Sequence, residues 1–184
     1  ILGASATGDR VAGNVIGLAA DGQTPLGNAM RGVGVIGDYG FRGALGNIIG
    51  GSEPGAGNVI AGNAYEHVFL GGTLGTIVQG NIIGTNALGT ETVAYAQVGI
   101  RVEDDFDSLI GGAGLGEGNL ISGSYFGIYA NGRWLAGGTQ LLVGGSGADT
   151  LYGGAEDDLL ASGGFDYTSP LEHTAIEAIP PTVR

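Results

Sequence analysis

Asp149 and Asp158 stand at the same place in two consecutive nine-residue units, Gly144–Tyr152 (GGSGADTLY) and Gly153–Ala161 (GGAEDDLLA). The shared pattern is G-G-x-G-x-D-x-U-x, where U is a large aliphatic residue, here Leu151 and Leu160. The glycines permit a tight turn whose carbonyls point at one spot, and the Asp adds a carboxylate. Such a set of hard oxygens suits Ca²⁺, which takes roughly six to eight of them in flexible geometry. The x-U-x part reads as a short strand whose aliphatic side chain packs inward.

This arrangement resembles the haemolysin-type, or RTX, calcium-binding repeat. The resemblance implies a β-roll in which successive turns alternate between two sides, so that a calcium ion lies between one turn and the next but one. The turn Gly144–Asp149 then partners the segment Ser162-Gly163-Gly164-Phe165-Asp166, which is two residues short between Gly-Gly and Asp. The implied main site is Asp149 with Asp166, helped by the carbonyls of Gly144 and Ser146. A second site would use Asp158 with Asp157 or Glu156. Glu156 stands where the family has Gly, and the upstream neighbour Gly137-Gly138 lacks an Asp. The alternative is a pair of decayed repeats that continue the scaffold, with solvated acids and no metal.

Other residues capable of chemistry are less organised. Glu103-Asp104-Asp105-Phe106-Asp107 is the densest acid run and follows a strand that contains Arg101. Paired carboxylates near an arginine suit a polysaccharide lyase or glycosidase. No neighbouring unit supplies a second carboxylate or a base in register, so a solvated corner loop is the favoured reading. His67 and His173 have no metal-binding companion at helical spacing, and read as a strand residue and a helix-surface residue. Ser122 and Ser124 have no triad partner. Tyr125, Phe126, Tyr129 and Trp134 form an aromatic cluster; on a scaffold face they either stack on sugars or cover the core, and covering is favoured. Strings such as Gly112–Gly118 are not phosphate loops, because no helix follows them.

The elements that hold these residues repeat. Ile49–Gly62 (IGGSEPGAGNVIAG) returns as Ile110–Gly123 (IGGAGLGEGNLISG), identical at eight of fourteen positions. Aligning Val33, Val68, Ile100 and Ile128 gives spacings of 35, 32 and 28 residues; aligning Ile49, Ile83, Ile110 and Val143 gives 34, 27 and 33. Repeats of about 20–50 residues mean solenoids, propellers or arrays. Units with two or three strands of about four residues are too short for propeller blades. They suit a parallel β-helix, with Ile, Val and Leu stacked inside. Asn14, Asn47, Asn58, Asn81 and Asn119 each follow Gly. Asn accepts left-handed backbone angles, and stacked Asn side chains form hydrogen-bonded ladders.

The phrases VQGNIIGTNALGT (78–90) and IGGAGLGEGNLISG (110–123) resemble the alternating repeats of large, exported bacterial right-handed parallel β-helix proteins. The resemblance covers roughly residues 11–138. The expected organisation is an all-β solenoid over 1–140, a calcium-binding β-roll over 141–168, and a capping helix with its tail over 169–184. Ser169-Pro170-Leu171-Glu172 supplies an N-cap, a proline at the first helical position and a capping box. Pro180-Pro181 ends that helix, so it spans 170–179, where it would cover the last strand edge.

Composition narrows the partners. The 41 glycines among 184 residues far exceed the usual ~7%, without a Gly-X-Y period. Apolar content of 43% argues for a packed core. Net charge is −12, and all six basic residues are Arg. Nucleic acid and anionic membranes are disfavoured, and divalent cations are the natural partners. No run reaches the ~18 apolar residues of a membrane span, and no cysteine is present.

The expected role is non-enzymatic: a calcium-binding, extracellular or surface portion of an exported repeat protein, used for adhesion or scaffolding. The expected partners are Ca²⁺ and an extracellular polysaccharide. The other reading is a carbohydrate-active or sugar-binding module on the same fold.

Overall fold

The structure is a computed structural model. It describes residues 1–3, 5–37, 43–94, 96–105, 107–112, 114–131, 141–144, 151–152 and 159–162. Among these, the regular elements are all strands, and no helix occurs. The expected capping helix, 170–179, lies outside the described residues.

The chain passes through three sheets in fixed order, and each passage makes one rung. The first rung is β1 (Arg10–Val11), β2 (Val15–Ile16) and β3 (Arg31–Ile36). The second is β4 (Ile48–Gly50), β5 (Val59–Ile60) and β6 (Glu66–Gly71). The third is β7 (Ile77–Gln79), β8 (Ile82–Ile83) and β9 (Ala96–Glu103). The fourth is β10 (Leu109–Ile110), β11 (Leu120–Ile121) and β12 (Ser124–Asn131). Then follow β13 (Leu141–Gly144), β14 (Leu151–Tyr152) and β15 (Leu159–Ser162).

Every pairing between these strands is parallel. The first sheet runs β1-β4-β7-β10-β13-β15, the second β2-β5-β8-β11, the third β3-β6-β9-β12-β14. Parallel strands in stacked sheets are compatible with the expected solenoid.

One column of the core follows the expected alignment. Val33, Val68, Ile100 and Ile128 are register partners across the third sheet. They are all buried, within one cluster that also holds Ile49, Val78 and Ile110 from the first sheet and Ile60, Ile83 and Ile121 from the second. Burying each such side chain contributes about 1.5–3 kcal/mol.

The second alignment needs correction. The first-sheet column is Ile49–Val78–Ile110–Leu142. Ile83 belongs to the second sheet, opposite Ile60 and Ile121, and Val143 is one residue out of register. In Gly-Asn-Ile-Ile-Gly at 46–50 the last three residues are the first-sheet strand β4, while in the same five residues at 80–84 Ile82-Ile83 is the second-sheet strand β8. The cause is the first corner, which links the first- and second-sheet strands. In the third rung it shrinks to Gly80-Asn81.

Corner lengths alternate down the stack. Rungs two and four have a long first corner, 51–58 and 111–119, and a short second corner. Rungs one and three have a short first corner and a long second corner, 17–30 and 84–95. Each long second corner carries an antiparallel bridge, Leu18↔Pro25 and Thr85↔Thr92. These two loops meet across the short corner between them, where Ala87 N–H donates to the Gly22 carbonyl at 2.9 Å. The two long first corners meet likewise, so closely that a Cβ on Gly116 would stand 2.5 Å from the Ser52 carbonyl. The fourteen-residue phrase is therefore the long first corner with its flanking strands, and it returns every second rung. A second phrase alternates with it: Gly13–Leu26 and Gly80–Val93 share six identities.

Asparagine fixes the first corner. Asn14, Asn58, Asn81 and Asn119 form a ladder in which each Nδ2 donates to the next Oδ1 at 3.0, 2.9 and 2.9 Å. The same Oδ1 atoms accept the backbone N–H of the preceding Asn, each at 3.0 Å. Asn58, Asn81 and Asn119 are buried. Asn47 is not part of this ladder: it sits before β4, accepting from Asp9 N–H at 2.9 Å. A further step joins Asn28 to Asn63 at 2.9 Å. Both of these also follow Gly, so the same sequence cue marks them.

Candidate functional site

The nine-residue units begin where the rung length changes. Leu142 pairs with Leu160, 18 residues on, across β13 and β15. Between them β14 crosses to the third sheet, where Leu151 pairs with Ile128 of β12. Leu142, Leu151 and Leu160 are thus nine residues apart and fall on alternate sheets. Leu151 and Leu160, the aliphatic positions of the repeat, are both strand residues.

Of the expected calcium ligands, Gly144 ends β13 and pairs with Ser162, the last residue of β15. Asp149, Asp166, Asp158, Asp157 and Ser146 lie outside the described residues, as does Glu156. Among the described residues no group of three or more His, Asp or Glu side chains is placed to hold a metal.

The acid run after β9 divides into separate tasks. Glu103 pairs with Arg101. Asp105 is buried and accepts the Thr73 hydroxyl. Asp104 (φ 48°) and Asp107 (φ 53°) have left-handed backbones. Asp107 continues a column that holds Gly46 (φ 59°) and Gly75 (φ 66°) in the two earlier rungs. Asp is one of the few residues other than Gly that accepts this conformation, so the turn itself accounts for its residue type.

A neighbouring rung does supply a carboxylate, contrary to expectation. Glu66, at the start of β6, lies 3.1 Å from Arg31 of β3 and 3.7 Å from Arg101 of β9. Arg31, Glu66, Arg101 and Glu103 thus form a ladder of alternating charge across three rungs of the third sheet. Arg101 Nε donates to Glu103 Oε1 at 2.9 Å. Burial works against the Arg101 charge, but its hydrogen bond to Glu103 and the charges of Glu103 and Glu66 outweigh that and raise its pKa. The Arg31 guanidinium carbon sits 3.9 Å from the Phe69 ring centroid, and that of Arg101 5.6 Å from the Tyr129 centroid. Both carboxylates are held by guanidinium groups. Sequence reasoning missed Arg31 and Glu66. Their cue was present, since each stands two residues before the aligned Val33 and Val68.

His67 is fully buried, and neither ring nitrogen has a hydrogen-bond partner. Burial lowers its pKa from 6.5 to about 4. The neutral ring is core filling, in line with its expected role as a strand residue. The aromatic cluster is divided. Phe126 and Tyr129 are half-buried, whereas Tyr125 is 72% exposed and so does not cover the core. Trp134 and His173 lie outside the described residues. No helix among the described residues is long and apolar enough to cross a membrane.

Comparison with protein-family models, with characterised proteins and with solved structures finds no match to this chain.

Proposed function

We propose that the chain is a calcium-binding structural portion of an exported bacterial repeat protein, serving adhesion or extracellular scaffolding. In this reading a right-handed parallel β-helix passes into a short two-sided β-roll, closed by a helix over 170–179. The supporting observation is the change of period after β12. Rungs of three strands give way to the 18-residue pairing of Leu142 with Leu160, and the intervening strand lies on the other sheet. That is two nine-residue units per turn of the chain, as an RTX-like roll requires. Because Gly144 pairs with Ser162, the segments that carry Asp149 and Asp166 start from neighbouring strands. The first calcium would take Asp149, Asp166 and the carbonyls of Gly144 and Ser146, and a second would take Asp158 with Asp157. Calcium would fold the acidic end and rigidify it outside the cell.

Calcium titration followed by circular dichroism and thermal melting tests this reading. The expected result is a calcium-dependent gain of β signal and a higher melting temperature, both lost in Asp149→Asn/Asp166→Asn. Identical melting of the chelated and calcium-loaded protein would sink it.

A further inference from the structure

The register of the third sheet aligns four residues just outside the core strands. Arg31 pairs with Glu66, Glu66 with Val98, and Val98 with Phe126. The residues one position earlier, Met30, Tyr65, Gln97 and Tyr125, therefore form a column along the stack. Its continuity is direct: Tyr65 N–H donates to the Met30 carbonyl at 2.9 Å, and Gln97 N–H to the Tyr65 carbonyl at 3.0 Å. Met30 is 58%, Tyr65 53% and Tyr125 72% exposed, and Gln97 is exposed as well.

Two exposed tyrosines at one register position, two rungs apart, are separated by about 9.5 Å, since adjacent strands lie about 4.8 Å apart. Phe126 holds the Tyr125 ring in a T-shaped contact, with centroids 4.7 Å apart. Gln97, between the two rings, offers both a donor and an acceptor. Beside the column, Arg31, Glu66, Arg101 and Glu103 cancel one another's charge. The strip is thus locally neutral on a chain of net charge −12. A polyanion is repelled by the remainder of the surface, and a cation finds these carboxylates already paired. The charge pattern fits an uncharged ligand with flat apolar faces and many hydroxyls. In a β-1,4-linked glucan, every second ring presents the same face, and that repeat is close to the length of two rungs.

We propose that the column Met30–Tyr65–Gln97–Tyr125 binds a neutral β-1,4-linked polysaccharide that lies along the stack axis. Alternate sugar rings rest on Tyr65 and Tyr125, and Gln97 bonds a hydroxyl between them. This site is independent of the calcium reading, because it uses only rungs one to four.

Calorimetric titration of the full chain with cellohexaose tests the proposal, with maltohexaose, its α-linked counterpart, alongside. Cellohexaose should bind, and Tyr65→Ala and Tyr125→Ala should each weaken it at least about tenfold with an unchanged circular dichroism spectrum. Leu115→Ala, at a fully exposed position on a different corner, should bind like the parent. Absence of cellohexaose binding, equal binding of maltohexaose, or unchanged affinity in both tyrosine variants would overturn it.

Discussion

The Nε2 atom of His67 lies 3.4 Å from the point where Gly84 would carry a Cβ atom. The register positions level with His67 in the other rungs are all glycine: Gly32, Gly99 and Gly127. His67 therefore carries a side chain at a column where these neighbours carry none, and that side chain is titratable.

Acid should act through this ring. The folded-state pKa is about 4, below the ordinary 6.5, so between those values the unfolded chain binds the proton and the folded chain does not. Stability contributed by neutral His67 is present above about pH 6.5 and is lost as the pH falls toward 4. The full effect is about 3 kcal/mol. Urea midpoints at about pH 7 and about pH 4 should show it as an excess loss over the variant His67→Leu. Equal losses in the two proteins would remove the ring from the account.

Asn81 should matter far more than Asn14. Asn81 Oδ1 accepts both the backbone N–H and the Nδ2 of Asn58, and its own Nδ2 donates to the Ile49 carbonyl at 3.0 Å. Asn81→Ala takes the acceptor from the Asn58 backbone N–H and leaves Asn58 Nδ2 with only the Val11 carbonyl, at about 1–3 kcal/mol for each buried group that loses its partner. Asn14 is exposed at the end of the ladder, and its loss should cost about 1 kcal/mol or less. Chemical denaturation of the two variants compares them directly, and equal costs would deny the ladder its structural role.

Glycines with the same backbone sign should respond differently. Gly50 (φ 87°) would place a Cβ 2.0 Å from the Gln79 carbonyl, whereas Gly75 (φ 66°) faces open space. Gly50→Ala should cost about 3 kcal/mol or more, from strain and overlap together. Gly75→Asp should cost only about 1 kcal/mol, since the next rung already has Asp107 in that turn. Melting temperatures of the two variants separate the cases.

The charge ladder should be coupled. Glu66 is 4% exposed at its side chain, and Arg31 and Arg101 are each 30% exposed. Glu66→Gln leaves two guanidinium groups that can still reach water, so the expected loss is about 2 kcal/mol, below that of a fully buried pair. Arg31→Met combined with Glu66→Gln should be less destabilising than the sum of the single changes, because residues in one network do not act independently. A strictly additive cycle would mean that the pair contributes nothing.

The third sheet was legible in the sequence because its strands are the longest and its core column, Val33–Val68–Ile100–Ile128, contains only Val and Ile. The first two sheets were harder to tell apart. Gly-Asn-Ile-Ile-Gly occurs in both, and local pattern cannot say which side of a corner it occupies; that depends on whether the preceding loop is long. Ile49 pairs with Val78, whereas the local pattern points to Ile83. The Arg31–Glu66 ladder was hidden for a related reason. Its members are 35 residues apart, and only the register brings them together. The nine-residue spacing of Leu151 and Leu160 was plain from the repeat, because the two units Gly144–Tyr152 and Gly153–Ala161 follow one another with no residue between them.

Alternation of the long corners sets a parity rule on this chain. Each loop rests on its like two rungs away, with a short corner between them. Removing an internal rung, or duplicating one, would put two long loops at one corner on adjacent levels. Length can therefore change without conflict only in even steps, by a pair of rungs at a time.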